Sequence, residues 1–178
     1  PADALVIKFT ADRPGSLTFS ALLRRWKFFD GISKMGENGI YLYGNLGKGG
    51  LDFGMALKAY AKGGRVEVIG EHLYVEDADE VLLYFTAGTT YRMQDIEKET
   101  EAIIEKAAKR EFADLLSEHE ADYRSLYGRV DFSLGDLSAC DAVPTDERIE
   151  AAKKGRADIG LAKLYFDFGR YLLIACSR

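Results

Sequence analysis

The sequence predicts an α+β protein in which an antiparallel β-sandwich unit is followed by a long linker helix and further helices. Two observations lead to this prediction. The first ~90 residues contain short apolar or alternating segments at ~10-residue spacing, without helices between them, which is typical of a β-sandwich. After Tyr91 the apolar residues recur at helical spacing. The 178 residues are 47% hydrophobic and 30% charged, as expected for a folded chain.

The first part of the β-sandwich unit contains three predicted strands. Residues 4–11 are apolar and β-prone, and the Pro-Gly pair within residues 12–15 indicates a turn. Residues 17–26 then alternate, and residues 39–45 form a short strand between glycine turns. One face of the alternating segment carries Leu17, Phe19, Ala21 and Leu23.

The second part of the unit has the clearest alternation. From residue 51, Asp52, Lys58 and Lys62 share one face and apolar side chains share the other. The apolar face carries Leu51, Phe53, Met55, Leu57, Ala59 and Ala61. Glycine turns lead into two further strands beginning near residues 65 and 72. Residues 80–89 are almost continuously apolar, which predicts a strand buried on both faces.

A single helix is predicted from Asp95 to Tyr127. At 1.5 Å per residue it would be about 45 Å long, which suits a connector between two domains. Its opposite face is rich in Glu and Lys. The apolar face carries Ile96, Ile103, Ala107, Phe112, Leu115, Leu116, His119, Tyr123 and Leu126.

Two more helices are predicted after a short extended segment at residues 128–135. Thr145 is expected to cap a helix that ends at Gly155. Residues 158–177 form a final helix that is apolar around most of its surface, so it must be buried by partners. The rest of the chain offers too few of these, so we expect its neighbours in a longer protein. The apolar residues include Leu161, Leu164, Tyr165, Phe166, Phe168, Tyr171, Leu172, Leu173 and Ile174.

Charge and cysteine content argue against several kinds of partner. The net charge of −5 provides no basic surface for nucleic acid or anionic lipid. No apolar run approaches the ~20 residues of a membrane span. Cys140 and Cys176 are too few for a disulfide framework, and a zinc site would also need His72 and His119. We therefore expect no metal, cofactor, nucleic-acid or membrane partner. Both chain ends fall within predicted elements, so we expect a piece of a larger protein. Any export signal would lie upstream, and localisation stays open.

Three polar motifs have both a functional and a structural interpretation. The glycine-rich residues 44–50 lack the Ser/Thr and the helix of a phosphate loop, so they are interpreted as a hairpin. Paired carboxylates carry out glycoside hydrolysis, and acidic clusters occur at residues 76–80 and 145–148. The first is interpreted as a surface hairpin turn. In the second, Asp146 and Glu147 are interpreted as first-turn residues stabilised by the helix dipole.

Several single side chains also have both a functional and a structural interpretation. His119 is expected to be packed and hydrogen-bonded rather than a general base, and Cys176 to be a small buried side chain. Five aromatic residues either stack on sugar rings or fill the core and cross-strand pairs, and the second interpretation is favoured. They are Trp26, Tyr41, Tyr43, Tyr60 and Tyr84. No residue is assigned as catalytic, cofactor-binding or metal-binding.

The helical half carries an ordered set of three motifs: HEADYRSLYGRVDFSLG (119–135), PTDERI (144–149) and LAKLYFDFGRYLLIACSR (161–178). Their order resembles glycoside hydrolase family 95, the inverting α-L-fucosidases. The β half is similar to the second part of that family's N-terminal β-sandwich, through DRPGSLTFSALL, LDFGMALKAYAKGGRVEV and AGTTYR.

This resemblance implies a parent enzyme that hydrolyses terminal α-linked L-fucose on glycans. It implies a β-sandwich part at 1–92, a linker helix and short extended segment at 93–135, and the start of an (α/α) toroid at 136–178. The family's glutamate acid and its His-x-Asn-x-Asn run match nothing here, so no catalytic residue is carried over.

The resemblance also gives expected roles to charged and aromatic residues of the helical half. Arg148 and Arg170 are expected to be buried or interfacial ion-pair and hydrogen-bond anchors. His119 and Tyr123 are expected to pack the linker helix on the toroid or the sandwich.

Three hypotheses follow from the sequence. The chain is a non-catalytic fragment of a family 95-like α-L-fucosidase, and alone is inactive. Alternatively, the β unit is a carbohydrate-binding module without hydrolase activity. In the third, the final helix is an interaction surface through which the chain self-associates by Leu161, Leu164, Tyr165, Phe168 and Leu172.

Overall fold

Two units make up the chain in the computed structural model, Pro1–Leu115 and Leu116–Arg178. The structure describes residues 3–135 and 142–177. Within these ranges, none of the helices combines the length and the apolar character that crossing a membrane requires. Cys140 lies outside the described residues.

The first unit contains eight strands in two antiparallel sheets. The strands are β1 (Leu5–Thr10), β2 (Leu17–Ala21), β3 (Gly31–Lys34), β4 (Gly39–Asn45), β5 (Asp52–Lys62), β6 (Arg65–Ile69), β7 (His72–Ala78) and β8 (Glu80–Thr89). One sheet has the order β1-β8-β5-β4-β3 and the other the order β2-β7-β6. The predicted α+β class with an antiparallel β-sandwich is confirmed. Strand β3 was not predicted individually.

The main core lies between the two sheets. Alternate residues of β4, β5 and β8 face inward and meet β7, as the alternation of the sequence predicted. Its fully buried members include Ile40, Leu42, Ala59, Leu73, Val75, Ala78 and Val81. The register pairs Phe53 of β5 with Thr89 and Lys62 with Glu80, so β8 is paired along its whole length. The double burial of β8 is confirmed, because a second cluster covers its other face.

That second cluster is formed by helices on the outer face of the five-stranded sheet. Helices α1 (Ile96–Ala108) and α2 (Phe112–Tyr127) follow β8. Ile104 and Ala107 of α1 pack with Tyr84 of β8, and Leu115 of α2 joins the same cluster. Two helices therefore replace the single long helix that the sequence predicted. The break between them brings Leu115 back onto the sheet.

Helix α1 has a defined N-terminus that sequence reasoning overlooked. The Asp95 carboxylate accepts a hydrogen bond from the amide of Lys98 at 3.1 Å. The Glu99 carboxylate accepts from the amides of Gln94 and Asp95 at 2.8 and 3.1 Å. These bonds satisfy backbone donors that an uncapped helix would leave unpaired.

The acidic residues 76–80 form a crossover between sheets rather than the predicted hairpin turn. Strand β7 belongs to the three-stranded sheet and β8 to the five-stranded sheet, and only Asp79 separates them. The Asp79 carboxylate accepts a 2.7 Å hydrogen bond from the amide of Gly15, and its backbone amide donates to Lys62. Asp79 thus fixes the corner. By contrast, residues 46–51 join β4 to β5, so the glycine-rich hairpin is confirmed.

The described part of the second unit consists of helix α3 (Thr145–Lys153), helix α4 (Ile159–Cys176) and the later turns of α2. Thr145 is the first helical residue of α3, and Pro144 precedes it without a side-chain cap, so the predicted Thr145 cap is wrong. Asp158 is the N-cap of α4, and its carboxylate accepts from the amide of Leu161 at 2.9 Å.

Candidate functional site

A cluster of ionisable side chains that contact one another lies between β5 and α1 in the first unit. Lys58 is only 4% exposed. Its Nζ lies 2.7 Å from Glu101 Oε1 and 2.7 Å from Glu105 Oε1, one helical turn apart on α1. The Tyr60 hydroxyl donates to the same Glu105 oxygen at 3.0 Å. The sequence placed Lys58 on a polar face, but α1 covers that face and buries the charge.

The electrostatics of this cluster keep Lys58, Tyr60 and Glu105 in their ordinary charge states. Burial opposes the charge on Lys58, but the hydrogen bonds to Glu101 and Glu105 outweigh it and raise the pKa of Lys58. The hydrogen bond from Lys58 lowers the pKa of Glu105 against its partial desolvation. Burial, and then the hydrogen bond to Glu105, raise the pKa of Tyr60.

This cluster has the wrong electrostatics for glycosidic acid catalysis. A general acid in a glycosidase needs a carboxyl group whose pKa is raised, so that it still holds its proton near neutral pH. Here the pKa of Glu105 is lowered, and an ammonium bridges both carboxylates. The arrangement is that of a clamp holding α1 to the sheet.

The second unit has its own buried ion pair, between Arg148 of α3 and Asp158. Arg148 Nε lies 2.9 Å from one carboxylate oxygen of Asp158, and Nη2 lies 2.9 Å from the other. Arg148 is 8% exposed. Because Asp158 also caps α4, one carboxylate joins the two helices in a bidentate geometry. The prediction that Arg148 is a buried ion-pair anchor is confirmed.

Arg170 of α4 holds the segment that follows α2. Its guanidinium donates to the carbonyls of Tyr127 and Val130 at 2.8 and 2.9 Å, and lies 4.6 Å from the Tyr127 ring centroid. Tyr123 meets Tyr171 edge to face at a centroid distance of 6.0 Å. The predicted anchoring role of Arg170 and the packing role of Tyr123 within the helical half are therefore confirmed.

Helix α4 leaves most of its apolar surface exposed. Gly160 is its only buried residue within the described part of the chain. Tyr165 is 81% exposed and Leu173 65% exposed. Of the residues predicted to self-associate, Leu164, Tyr165, Phe168 and Leu172 are exposed, and Leu161 is half-buried. The described residues therefore leave this helix uncovered, as its all-round apolar pattern predicted.

Two single-residue predictions were wrong. His119 is exposed and stacks on Tyr123 at a ring-centroid distance of 6.3 Å, rather than being buried. Cys176 is exposed because the helix face that carries it has no cover. In residues 3–135 and 142–177, no three His, Cys, Asp or Glu side chains are grouped as a metal ion would require.

The five aromatic residues singled out from the sequence separate into two groups. Tyr41 and Tyr84 are buried, and burial, with nearby carboxylates adding to it, raises the pKa of Tyr41 to about 12. Tyr60 packs edge to face on Tyr84 at a centroid distance of 5.6 Å, and Tyr43 stacks on Tyr41 at 6.1 Å. Tyr41, Tyr60 and Tyr84 therefore confirm the favoured interpretation. Tyr43 does not, because it is 41% exposed and stacks on a residue of its own strand. Trp26 does not either, because it is 95% exposed.

Comparison with protein families matches both halves of the chain to glycoside hydrolases. Residues 111–178 match the model described as "Glycosyl hydrolase family 95 catalytic domain". Residues 1–94 match the model described as "Glycosyl hydrolase family 65, N-terminal domain". Residues 95–110, which contain α1, lie between the two matched stretches.

Two curated relatives are similar to the chain. "Alpha-L-fucosidase 2" of Arabidopsis thaliana is 28% identical over 214 residues, which cover 100% of this chain and 25% of that protein. "Probable alpha-fucosidase A" of Aspergillus niger is 28% identical over 116 residues, which cover 58% of this chain and 14% of that protein. The chain thus spans at most a quarter of the length of either relative.

Proposed function

We propose that this chain belongs to glycoside hydrolase family 95 and supplies non-catalytic parts of an enzyme that removes terminal α-L-fucose from glycans with inversion. Residues 1–92 would form part of the N-terminal β-sandwich, residues 93–135 the connector, and residues 136–178 the start of the helical catalytic domain. The alignment with one α-L-fucosidase over 100% of this chain supports a single parent that contains both matched parts.

The observation that carries this proposal is the uncovered surface of α4. The helix falls within the stretch matched to the catalytic domain and exposes Tyr165, Phe168 and Leu173. A helix that is apolar all round needs partners on every side. An (α/α) toroid supplies them, because its inner helices are surrounded by other helices. We therefore place α4 as the first inner helix of that domain.

The polar clamps fit a supporting role. Lys58 holds α1 to the sheet. Arg148 joins α3 to the N-cap of α4, and Arg170 of α4 holds the segment that follows α2. Each joins pieces of backbone or helix, and none presents a carboxyl group with a raised pKa. The glycan would then meet its catalytic groups elsewhere in the parent protein.

Hydrolysis of an aryl α-L-fucoside tests the proposal. The 178-residue chain should release no fucose, while the parent protein should release it, first as the β-anomer in a proton NMR time course. Turnover by the purified chain, surviving removal of contaminants by a second chromatographic step, would refute its non-catalytic role. An inactive parent would refute the proposed substrate.

We further propose that the isolated chain self-associates through Leu161, Leu164, Tyr165, Phe168 and Leu172. Sedimentation velocity should show a concentration-dependent increase in mass that Phe168→Glu abolishes. Ile149→Glu, which adds the same single negative charge at an apolar residue of α3 that is 41% exposed, serves as the charge-matched control. A monomer at all concentrations would show that the uncovered helix does not drive association.

A further inference from the structure

An exposed aromatic loop precedes β3 in the first unit. The loop comprises residues 24–29 (RRWKFF). Trp26 is 95% exposed, Phe28 51% and Phe29 41%. A tryptophan usually buries most of its large surface, so a ring this open to solvent is unusual.

The loop is held in this conformation by contacts to the sandwich. The guanidinium carbon of Arg25 lies 4.0 Å from the ring centroid of buried Phe53, and its Nε donates to the Lys27 carbonyl at 2.9 Å. The Phe28 carbonyl lies so close to Gly44 that a Cβ there would come within 1.9 Å of it. A glycine at position 44 therefore lets the loop rest on β4.

The backbone of the loop also adopts a costly conformation. Phe28 has φ of 61°, in the left-handed region that side chains other than glycine rarely enter. Such a residue persists only when its surroundings impose it, and strained residues are concentrated at functional sites. The strain keeps the segment raised, with the Trp26 ring in solvent.

An open cleft adjoins the loop through Arg25. The cleft has a volume of about 620 Å³, within the range of small-molecule sites. Arg25, Thr89 and Arg92 are among the residues that line it and supply hydroxyl and guanidinium donors. The Thr86 hydroxyl in its wall already donates to the Asp3 carbonyl at 2.8 Å. In the part of the chain that the structure describes, neither Arg25 nor Arg92 is ion-paired with a carboxylate.

We propose that this loop and the adjoining cleft form a glycan-binding surface on the first unit. A pyranose ring has an apolar C–H face that packs on an open aromatic ring, and a rim of hydroxyls that accept hydrogen bonds. Trp26 offers the ring, and Arg24, Arg25 and Lys27 offer donors beside it. The choice of a glycan rests on the proposed function of the parent.

Tryptophan, phenylalanine and arginine are also enriched at protein interfaces, so Lys27 is the residue of the loop that favours a sugar over a protein partner. Lysine is depleted in the buried centres of protein interfaces, whereas Lys27 stands next to Trp26 in the loop. A carbohydrate leaves such a side chain hydrated while it donates a hydrogen bond. The adjoining cleft provides room for a further sugar unit.

The single tryptophan makes the site directly measurable. Trp26 is the only tryptophan of the chain, so its emission reports on this loop alone. Lactose, 2′-fucosyllactose and cellohexaose would be titrated separately into the 178-residue chain. We expect at least one to shift the emission to the blue in a saturable way, with a Kd on the order of 1 mM.

Variants separate stacking from a general effect on the fold. Measured by calorimetry, Trp26→Ala should weaken binding at least about tenfold, whereas Trp26→Phe, which keeps an aromatic ring, should weaken it less than about threefold. Tyr165→Ala, which removes a ring that is 81% exposed from the second unit, should leave the affinity for sugar unchanged. Unchanged circular dichroism would establish that each variant is folded.

Several results would overturn the proposal. They are an unshifted emission with all three sugars up to about 10 mM, equal affinity of Trp26→Ala and the parent chain, or a blue shift that follows protein concentration without sugar. The last would identify a protein contact instead. None of these results bears on fucoside hydrolysis by the full enzyme, so the two proposals fail independently.

Discussion

Two leucines show how differently the two units use the same kind of residue. Leu42 in β4 is fully buried between the sheets, whereas Leu173 in α4 is 65% exposed. Both belong to strongly apolar segments. The first segment finds its partners within residues 3–115, and the described residues do not cover the second. An apolar pattern thus predicts that a segment needs apolar partners, but it does not show where those partners lie.

The two units treat buried charge alike. Lys58 in the first unit meets two carboxylates, and Arg148 in the second meets one carboxylate through two nitrogens. A buried charge without partners is severely destabilising, so both positions are fully paired. What distinguishes the units is the apolar packing around the pairs.

Matched leucine truncations should give the largest contrast. Leu42→Ala should lower the free energy of unfolding of the first unit by about 2–5 kcal/mol, because it removes buried methyl groups and leaves a cavity. Leu173→Ala should change stability by less than about 0.5 kcal/mol. Urea unfolding followed by circular dichroism measures both. A cost at Leu173 similar to that at Leu42 would mean that α4 is covered in the isolated chain.

Removing the Arg148 guanidinium should have the next largest effect, confined to the second unit. Arg148→Ala leaves Asp158 without its bidentate partner and should cost about 2–3 kcal/mol. Hydrogen exchange should then quicken in α3 and the first turn of α4, but not in β5 or β8. Arg148→Lys keeps the charge but loses the contact through two nitrogens, so its cost in stability should be smaller than that of Arg148→Ala. Equal loss of protection in both units would show that the effect of Arg148 is not confined to α3 and α4.

The clamp between β5 and α1 predicts a pH window for the first unit. The pKa of Lys58 is raised from 10.5, so its contribution is complete below pH 10.5 and is lost as the pH rises through the raised value. The pKa of Glu105 is lowered from 4.5, so its contribution is complete above pH 4.5 and is lost as the pH falls through the lowered value.

The protection factors of the α1 amides, which are corrected for the intrinsic pH dependence of exchange, should therefore be highest between these limits and should fall outside them. Lys58→Met keeps most of the buried stem and should flatten the profile at both ends. Tyr84 lies in the same cluster but outside the ion pairs, so Tyr84→Phe should keep the profile. An unchanged profile in Lys58→Met would show that other groups set the pH response.

The smallest effect should come from an exposed ion pair of the second unit. Glu150 and Lys153 of α3 lie 2.7 Å apart with side chains 60% and 66% exposed. Solvent and salt screen such pairs, so Glu150→Ala should change stability by less than about 0.5 kcal/mol. A larger loss that persists in high salt would show that Glu150 makes a contact beyond this pair.

Sequence periodicity predicted the sandwich well, because the residue types on each face of a strand depend on whether that face is buried or exposed. Alternation in β5 identified the inward row that includes Phe53 and Leu57, and the continuous apolar run of β8 predicted burial on both faces. The same alternation misplaced Lys58, since period two shows which residues share a face but not what covers it.

The helical region shows a different limit. Lys109, Arg110 and Glu111 are ordinary helix formers, so propensity did not reveal the break after Ala108. The five-residue step from Ala107 to Phe112 interrupts the three- and four-residue spacing, and that step was the available signal. Similarly, acidic turn residues look alike in a hairpin and in a crossover, so the role of Asp79 was hidden.

The candidate surfaces were predictable to unequal degrees. The motifs containing Arg148 and Arg170 identified both as anchors, and the all-round apolar pattern identified α4 as a helix that needs partners. The sequence named Trp26 only as one of five aromatic residues. Its exposure depends on the strained Phe28 and on the close approach to Gly44, which are properties of distant backbone segments.

Local order of residues determined the elements of this protein, because side-chain periodicity and turn chemistry act over a few neighbouring positions. Tertiary structure decided which sheet each strand joined, which charge α1 buried and which aromatic ring stayed in water. Those outcomes depend on contacts between residues such as Lys58 and Glu101 that lie far apart along the chain. No local pattern specifies their partners, because the energy of each contact exists only once the distant segments have met.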